Sequence, residues 1–222
     1  MRRVMVVWLA ALGFGGMSCH FGTLGAPARD AARANIEAAR PSIALADAAT
    51  HTLDLHMGEA EMGEAEILAE LRRRHTALAD HELVVLSRTI VAEAHTHQLD
   101  PALVMAVIQV ESGGYHLAVS PVGALGLMQL MPGTGEELAR KLGIEWCGAK
   151  TLFDPIINVR LGTAYLRELT NRYDHMPTAL AAYNWGPGRI DRKIRRGARV
   201  PSGYIDQVMK AYDRDIVRAG RS

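Results

Sequence analysis

The stretch Asp100-Pro101-Ala102-Leu103-Val104-Met105-Ala106-Val107-Ile108-Gln109-Val110-Glu111-Ser112-Gly113-Gly114 decides the fold. It opens with a helix-capping aspartate and a proline, whose missing N–H costs nothing at the first helical position. It closes on two glycines, which stop a helix. Between these ends, apolar side chains from Ala102 to Val110 cover nearly every side of the helical wheel. Such a helix cannot sit on a surface and must be surrounded by other elements. The sequence therefore predicts a buried central helix over 102–111, ending in a carboxylate.

The chain on either side of this stretch is also helical. Leu83–His97 is periodic. Pro132 and Thr134 open a helix that Gly143 ends, with Thr134 and Glu137 at capping-box spacing. Asp154-Pro155 starts a long helix through Tyr173. Pro177 starts another through Tyr183, which Gly186-Pro187-Gly188 breaks. Ser202–Val217 reads as a last amphipathic helix with Tyr204, Ile205, Val208, Tyr212 and Ile216 inward. No run alternates as a strand would. The expectation is an all-α domain over 81–222, about 140 residues, near the common domain size.

Residues 29–75 are rich in Ala, Glu and Arg, and Pro41 interrupts them. A five-residue unit occurs in tandem, Met57–Glu61 and Met62–Glu66, too few copies for a solenoid. Glu70 and Arg74 have the spacing of a helix-surface pair. The range 19–80 is read as a helical spacer without a chemical motif. Before it, Arg2-Arg3, the apolar run Val4–Gly16 and Met17-Ser18-Cys19 form a secretory signal peptide over 1–18. The run is short of the roughly 20 residues that span a bilayer. Two cleavage points stay open. Cys19 resembles a lipidated lipoprotein cysteine, although Gly16 stands where such signals favour leucine. Ala26-Pro27-Ala28 is the competing site. Lipidation at Cys19 is the reading preferred, and either cut exports the chain to the periplasm, with an outer-membrane anchor in the first case. A buried N-terminal helix is the plain alternative.

A chain of 222 residues with 49% hydrophobic and 22% charged residues has ordinary globular composition. Wholesale disorder, collagen and a disulfide-dense scaffold are excluded. A net charge of +1 argues against a general nucleic-acid binder, so no nucleic-acid partner is expected. The balance hides an asymmetry, because Arg189–Arg221 holds ten Lys/Arg against four Asp/Glu. The run Arg189, Arg192, Lys193, Arg195, Arg196, Arg199 reads first as a solvated helix face and second as a contact for anionic wall polymer or headgroups. Cys147, beside Trp146, reads as a small packing residue. His95 and His97 are two apart on a helix, so they diverge and make a poor metal pair; no metal and no cofactor are expected. A monomer is expected.

Glu111 ends a desolvated helix at the negative end of its dipole, and both effects raise a carboxyl pKa. A solvent-facing carboxylate is the plain alternative. Ser112 and the two glycines leave an open turn beside it. Gly126-Leu127-Met128-Gln129-Leu130-Met131-Pro132 places one amide, Gln129, in an apolar run, where it needs partners. Met128 and Met131 read as core residues. Ala182-Tyr183-Asn184-Trp185-Gly186-Pro187-Gly188 sets aromatic rings and an amide before a glycine-rich turn, which suits a sugar. Each feature alone reads as structure, and together they mark one cleft. Ordinary glycosidases use two carboxylates, yet no other acid joins this cluster: Asp154 caps a helix, and Glu136 and Glu137 lie in a first helical turn.

Glu111-Ser112, Gly126-Leu127-Met128-Gln129 and Ala182-Tyr183-Asn184, in that order, resemble the three motifs of the soluble lytic transglycosylase catalytic domain. That domain is similar to goose-type lysozyme. Asn158, Gly162 and Tyr165-Leu166 resemble its long helix, and the likeness covers about residues 82–217. It departs at Ser202-Gly203, where the family carries a glutamate and a threonine. The resemblance implies a lysozyme-like fold and an enzyme acting on peptidoglycan glycan strands. It would cleave the β-1,4 bond between N-acetylmuramic acid and N-acetylglucosamine and form a 1,6-anhydro product. Glu111 is implied as the single acid and base. Ser112 is implied to orient it, Gln129 to bind acetamido or hydroxyl groups, Tyr183 to hydrogen-bond near Glu111, and Asn184 and Met128 to line the sugar subsite. A hydrolytic muramidase on the same fold and a non-catalytic peptidoglycan-binding lipoprotein remain the alternatives.

Overall fold

Asp100 starts the central helix by accepting the Ala102 N–H at 2.7 Å, with Pro101 in the first turn. In the computed structural model, which describes residues 62–220, the helices are α1 (Glu64–Arg72), α2 (Asp80–Thr96), α3 (Pro101–Ser112), α4 (Pro132–Leu142), α5 (Pro155–Tyr173), α6 (Met176–Trp185), α7 (Pro187–Arg195) and α8 (Gly203–Ala219). A 3-10 turn, Ala149–Phe153, leads into α5. The described residues contain no strand. Isolated bridges from Leu125 to Val119 and Leu130 fold 118–130 into a compact loop. The all-α architecture expected from the sequence is the one observed.

Every residue of α3 from Pro101 to Ile108 is buried. The helix lies against α1, α2 and α8, so its apolar sides face protein in all directions. Full burial of each Leu, Val, Ile or Met contributes about 1.5–3 kcal/mol, which makes this helix the fixed post of the domain. The long helix α5 packs on α2 and α6. Asp154 caps it by accepting the N–H groups of Ile156 and Ile157, each at 2.9 Å.

Several sequence expectations are corrected. The helix after Pro132 starts at Pro132 itself, with Met131 as the capping residue. Thr134 is therefore already helical and no Thr134–Glu137 box forms; Glu137 instead pairs with Lys141 at 2.9 Å. Gly186-Pro187-Gly188 breaks one helix and also starts another, because Pro187 occupies the first turn of α7. Cys147 is exposed rather than packed. It is Trp146 that leans on the core.

The range read as a spacer reaches into the core as well. Met62, Ile67 and Leu71 are buried with the rest of the hydrophobic cluster. The Glu70–Arg74 pair forms at 3.3 Å, but it is not on a surface, since Glu70 is only 1% exposed. Arg73 (2.7 Å) and Arg218 (3.4 Å) also reach Glu70. Burial pushes the Glu70 carboxyl up, yet the Arg73 hydrogen bond and the charges of Arg73, Arg74 and Arg218 outweigh it and hold the pKa below the ordinary value. Cys19, Ala26-Pro27-Ala28, Pro41 and the first five-residue unit lie outside the described residues. Among the described residues no helix is long and apolar enough to cross a membrane.

Candidate active site

Glu111 stands in the last turn of α3, which ends at Gly113 in the left-handed conformation. Its residue surface is partly open. The carboxyl is nonetheless crowded by protein, and burial pushes its pKa up to about 7 against a smaller downward pull from a Tyr204 hydrogen bond. That bond runs from the Tyr204 hydroxyl to Glu111 Oε1 at 2.7 Å. Burial, and next the Glu111 charge, hold the hydroxyls of Tyr183 and Tyr204 well above the usual tyrosine range. Both are neutral donors at any working pH. Among the described residues no second carboxylate shifts Glu111: burial and Tyr204 account for its shift.

The residues read from the sequence take these places. The Ser112 hydroxyl does not hydrogen-bond Glu111. Its Oγ donates to Ile108 O at 3.1 Å and accepts the Gly114 N–H at 3.1 Å, so it fixes the turn that carries Glu111. Gln129 sits at φ 49°, a left-handed conformation unusual for a side-chain-bearing residue. Its Nε2 donates to Gly126 O (2.8 Å) and Ala118 O (3.2 Å). The amide nitrogen thus holds its own loop, and the amide oxygen is the group left to accept from a ligand. The Met128 side chain is fully buried, with Thr163 Oγ1 3.9 Å from its sulfur, so it packs the core beneath the loop. Tyr183 lies close enough to feel the Glu111 charge, and its hydroxyl donates to Met128 O at 2.8 Å. It ties α6 to the Gln129 loop, with its ring against Tyr165 at 5.3 Å. Asn184 is partly buried next to it.

The loop is held from below by Asn158 of α5, which is fully buried. Asn158 Oδ1 accepts the Met128 N–H at 2.8 Å, and Nδ2 donates to Leu125 O (3.0 Å) and Leu152 O (2.8 Å). Gly126 passes so close that a Cβ would lie 2.2 Å from Leu152 O and 2.3 Å from Asn158 Nδ2. A Cβ on Gly162 would lie 2.3 Å from Met128 Sδ. The residue that sequence reasoning missed is Tyr204, read only as a core tyrosine. An inward tyrosine on an amphipathic helix carries a hydroxyl that must find a partner, and that is the signal that points to it.

Among the described residues no group of three or more His, Cys, Asp or Glu side chains is placed to hold a metal. The cluster can donate a proton from one carboxyl, stabilise the resulting anion through one hydroxyl, and take a proton back. A family model described as the transglycosylase SLT domain matches residues 88–202, just over half of the chain. The chain belongs to this family. A transglycosylase of Enterobacteria phage PRD1 is 41% identical over 122 residues, covering 55% of this chain and 41% of that protein. The soluble lytic murein transglycosylase of Escherichia coli K12 is 36% identical over 113 residues, covering 50% of this chain and 17% of that protein. The crystal structure of the 70 kDa soluble lytic transglycosylase of E. coli superposes with a TM-score of 0.52 at 28% identity, covering 59% of this chain and 24% of that one. The lysozyme-like helical fold of the SLT domain is thus the fold of this chain, which spans well under half the length of these relatives. Tyr204 and α1 lie outside the residues that the family model matches.

Proposed function

We propose that this SLT-domain protein is a peptidoglycan lytic transglycosylase with Glu111 as its one acid and base. The observation that carries the reading is a carboxyl raised to about 7 by burial, with a neutral hydroxyl on it and no second acid acting on it among the described residues. The names of its relatives, lytic murein transglycosylases, support the substrate class.

The chemistry closes on one residue. Protonated Glu111 gives its proton to the glycosidic oxygen as the bond from the muramyl C1 breaks. A pKa near the working pH serves this role, because the acid must start protonated and still give the proton up. The new carboxylate is stabilised by the Tyr204 hydroxyl. Glu111 then takes the proton of the muramyl C6 hydroxyl while O6 bonds to C1. The glycan is cut, a 1,6-anhydro ring is formed, no water is consumed and Glu111 ends as it began. The substrate's own N-acetyl group stabilises the intermediate in place of a second carboxylate. Gln129, through its oxygen, and Asn184 bind the sugar. Ser112 and Tyr183 position the turn and the loop. The signal peptide over 1–18 exports the protein to the periplasm, where Cys19 carries a lipid that anchors it to the outer membrane.

Digestion of purified peptidoglycan by wild type and Glu111→Gln, followed by mass analysis, tests the reading. Wild type is expected to release anhydromuropeptides and the variant almost none. Products heavier by one water would show a hydrolase instead. Equal activity in the variant would remove Glu111 from the reaction.

A further inference from the structure

The segment from Gly186 to Gly203 joins the two elements that bring tyrosines to the site. It departs three residues after Tyr183, which lies near enough to feel the Glu111 charge, and ends one residue before Tyr204, which bonds Glu111. Its helix α7 packs on α6, the helix that carries Tyr183 and Asn184. Ile190 is buried and Ile194 packs on the core, which seats one face of α7. Arg189, Arg192, Arg195, Arg196 and Arg199 are exposed.

These charges have no acid of their own. The acid of the segment, Asp191, is engaged by Arg172 and by the Tyr173 hydroxyl, the latter at 2.8 Å. Among the described residues no ion pair or hydrogen bond engages the side chains of Arg192, Lys193, Arg195, Arg196 or Arg199. Arg189 marks the cleft end of the row, with its guanidinium 4.1 Å from the centre of the Trp185 ring, one residue beyond Asn184. A solvated face alone would not require arginine. Guanidinium groups form two-pronged bonds to carboxylates in a way that lysine cannot, and five of the six cations are arginine.

We infer that the exposed face of α7 is a binding site for the carboxylates of the stem peptides carried by the glycan, so that the protein prefers peptide-substituted strands to bare ones. This rests on the proposed function for its substrate. The muramyl sugar that reacts at Glu111 is the one that carries the peptide. Four residues of extended peptide reach about 13–14 Å, and the nine residues of α7 rise about 13 Å. A stem leaving the reacting sugar thus has the length to lie along the arginine row. The glycan is uncharged between its stems, so the peptide carboxylates are the anions that this face can meet.

The test uses Arg192→Gln/Arg195→Gln/Arg196→Gln, three exposed and unpaired positions at which the fold has nothing to lose. Peptide-substituted glycan is compared at low salt with strands stripped by an amidase, whose muramyl sugars keep the short lactyl carboxylate but no stem to reach along α7. The variant should raise KM about tenfold on substituted strands, with kcat little changed and no effect on stripped ones. Added salt should bring wild type to the variant's KM. Equal KM values for variant and wild type on substituted strands, or an equal loss on both substrates, would overturn the inference. So would tighter binding to anionic phospholipid vesicles, lost in the variant, with no change on substituted glycan. A synthetic tetrapeptide stem, titrated against Glu111→Gln protein and read by Trp185 fluorescence, separates this inference from the catalytic one. Peptide binding without glycan cleavage by wild type would sink only the catalytic reading, whereas cleavage without peptide binding would sink only this one.

Discussion

Glu111→Gln should make the folded protein more stable above neutral pH while abolishing its chemistry. In the unfolded chain Glu111 titrates near its ordinary value of 4.5, and in the fold near 7. Below the lower value it is protonated in both states and contributes no difference. As pH rises through the window, the unfolded state ionises first and is favoured by about 1.4 kcal/mol per unit. The penalty on the fold saturates above pH 7 at about 3 kcal/mol. Glutamine keeps the size of the side chain and an oxygen to accept the Tyr204 hydroxyl, but it cannot ionise. The variant should match wild type within about 0.5 kcal/mol at about pH 4 and exceed it by about 2–3 kcal/mol at about pH 8. Urea unfolding followed by the fluorescence of Trp146 and Trp185 reads this directly. With a slope of about 2 kcal/mol per molar urea, the midpoint should move up by about 1–1.5 M at the higher pH. A difference that is flat across pH, or a variant less stable at pH 8, would refute the claim that burial raises this carboxyl.

The same carboxyl sets a rate profile: wild-type turnover should fall as pH passes above about 7, because the acid is then no longer protonated. Tyr204→Phe removes the bond that pulls Glu111 down, so this basic limb should move to higher pH while kcat drops; an unmoved limb would mean that Tyr204 does not act on Glu111. Gly126→Ala drives a Cβ into Leu152 O and Asn158 and should cost about 3 kcal/mol or more in a urea titration, with a loss of less than 1 kcal/mol arguing against the close approach. Glu70 has a lowered pKa, so its stabilisation is present above the unfolded value and disappears as pH falls through the folded one. Glu70→Gln removes the carboxylate that Arg73, Arg74 and Arg218 share and should lose about 3 kcal/mol at neutral pH, a deficit that thermal melts should show shrinking in acid.

The central helix was legible because its start, its stop and its burial are all local signals: a capping Asp100, Pro101, an apolar run and two glycines. The same holds for α5, which begins at Asp154. Glu111 was legible as a desolvated acid for the same reason. Its partner was not, since Tyr204 lies 93 residues away and only packing brings α8 against α3. Gln129 was read as a ligand-seeking amide, but the left-handed turn at that residue curls its nitrogen back on the loop, a conformation that no periodicity reveals. The role of α1 was hidden by composition. Its few apolar residues are diluted by Ala, Glu and Arg, and Glu70 reads as a solvated charge until three arginines from two parts of the chain close over it.

The contacts of Gly126 with Asn158 and of Gly162 with Met128 carry a consequence for natural variation. At Gly162 a larger residue is tolerable only if Met128 shrinks in the same lineage, and at Gly126 none is, because the Leu152 backbone oxygen stands in the way and cannot shrink. The floor, drawn from the Gln129 loop and from α5, can therefore drift only through the Gly162–Met128 pair. Beyond Arg189, which lies on Trp185, the exposed arginines of α7 touch no side chain that must change with them, and each can be exchanged singly. A lineage would thus retune what lies beside the cleft far faster than it could rebuild the floor beneath it.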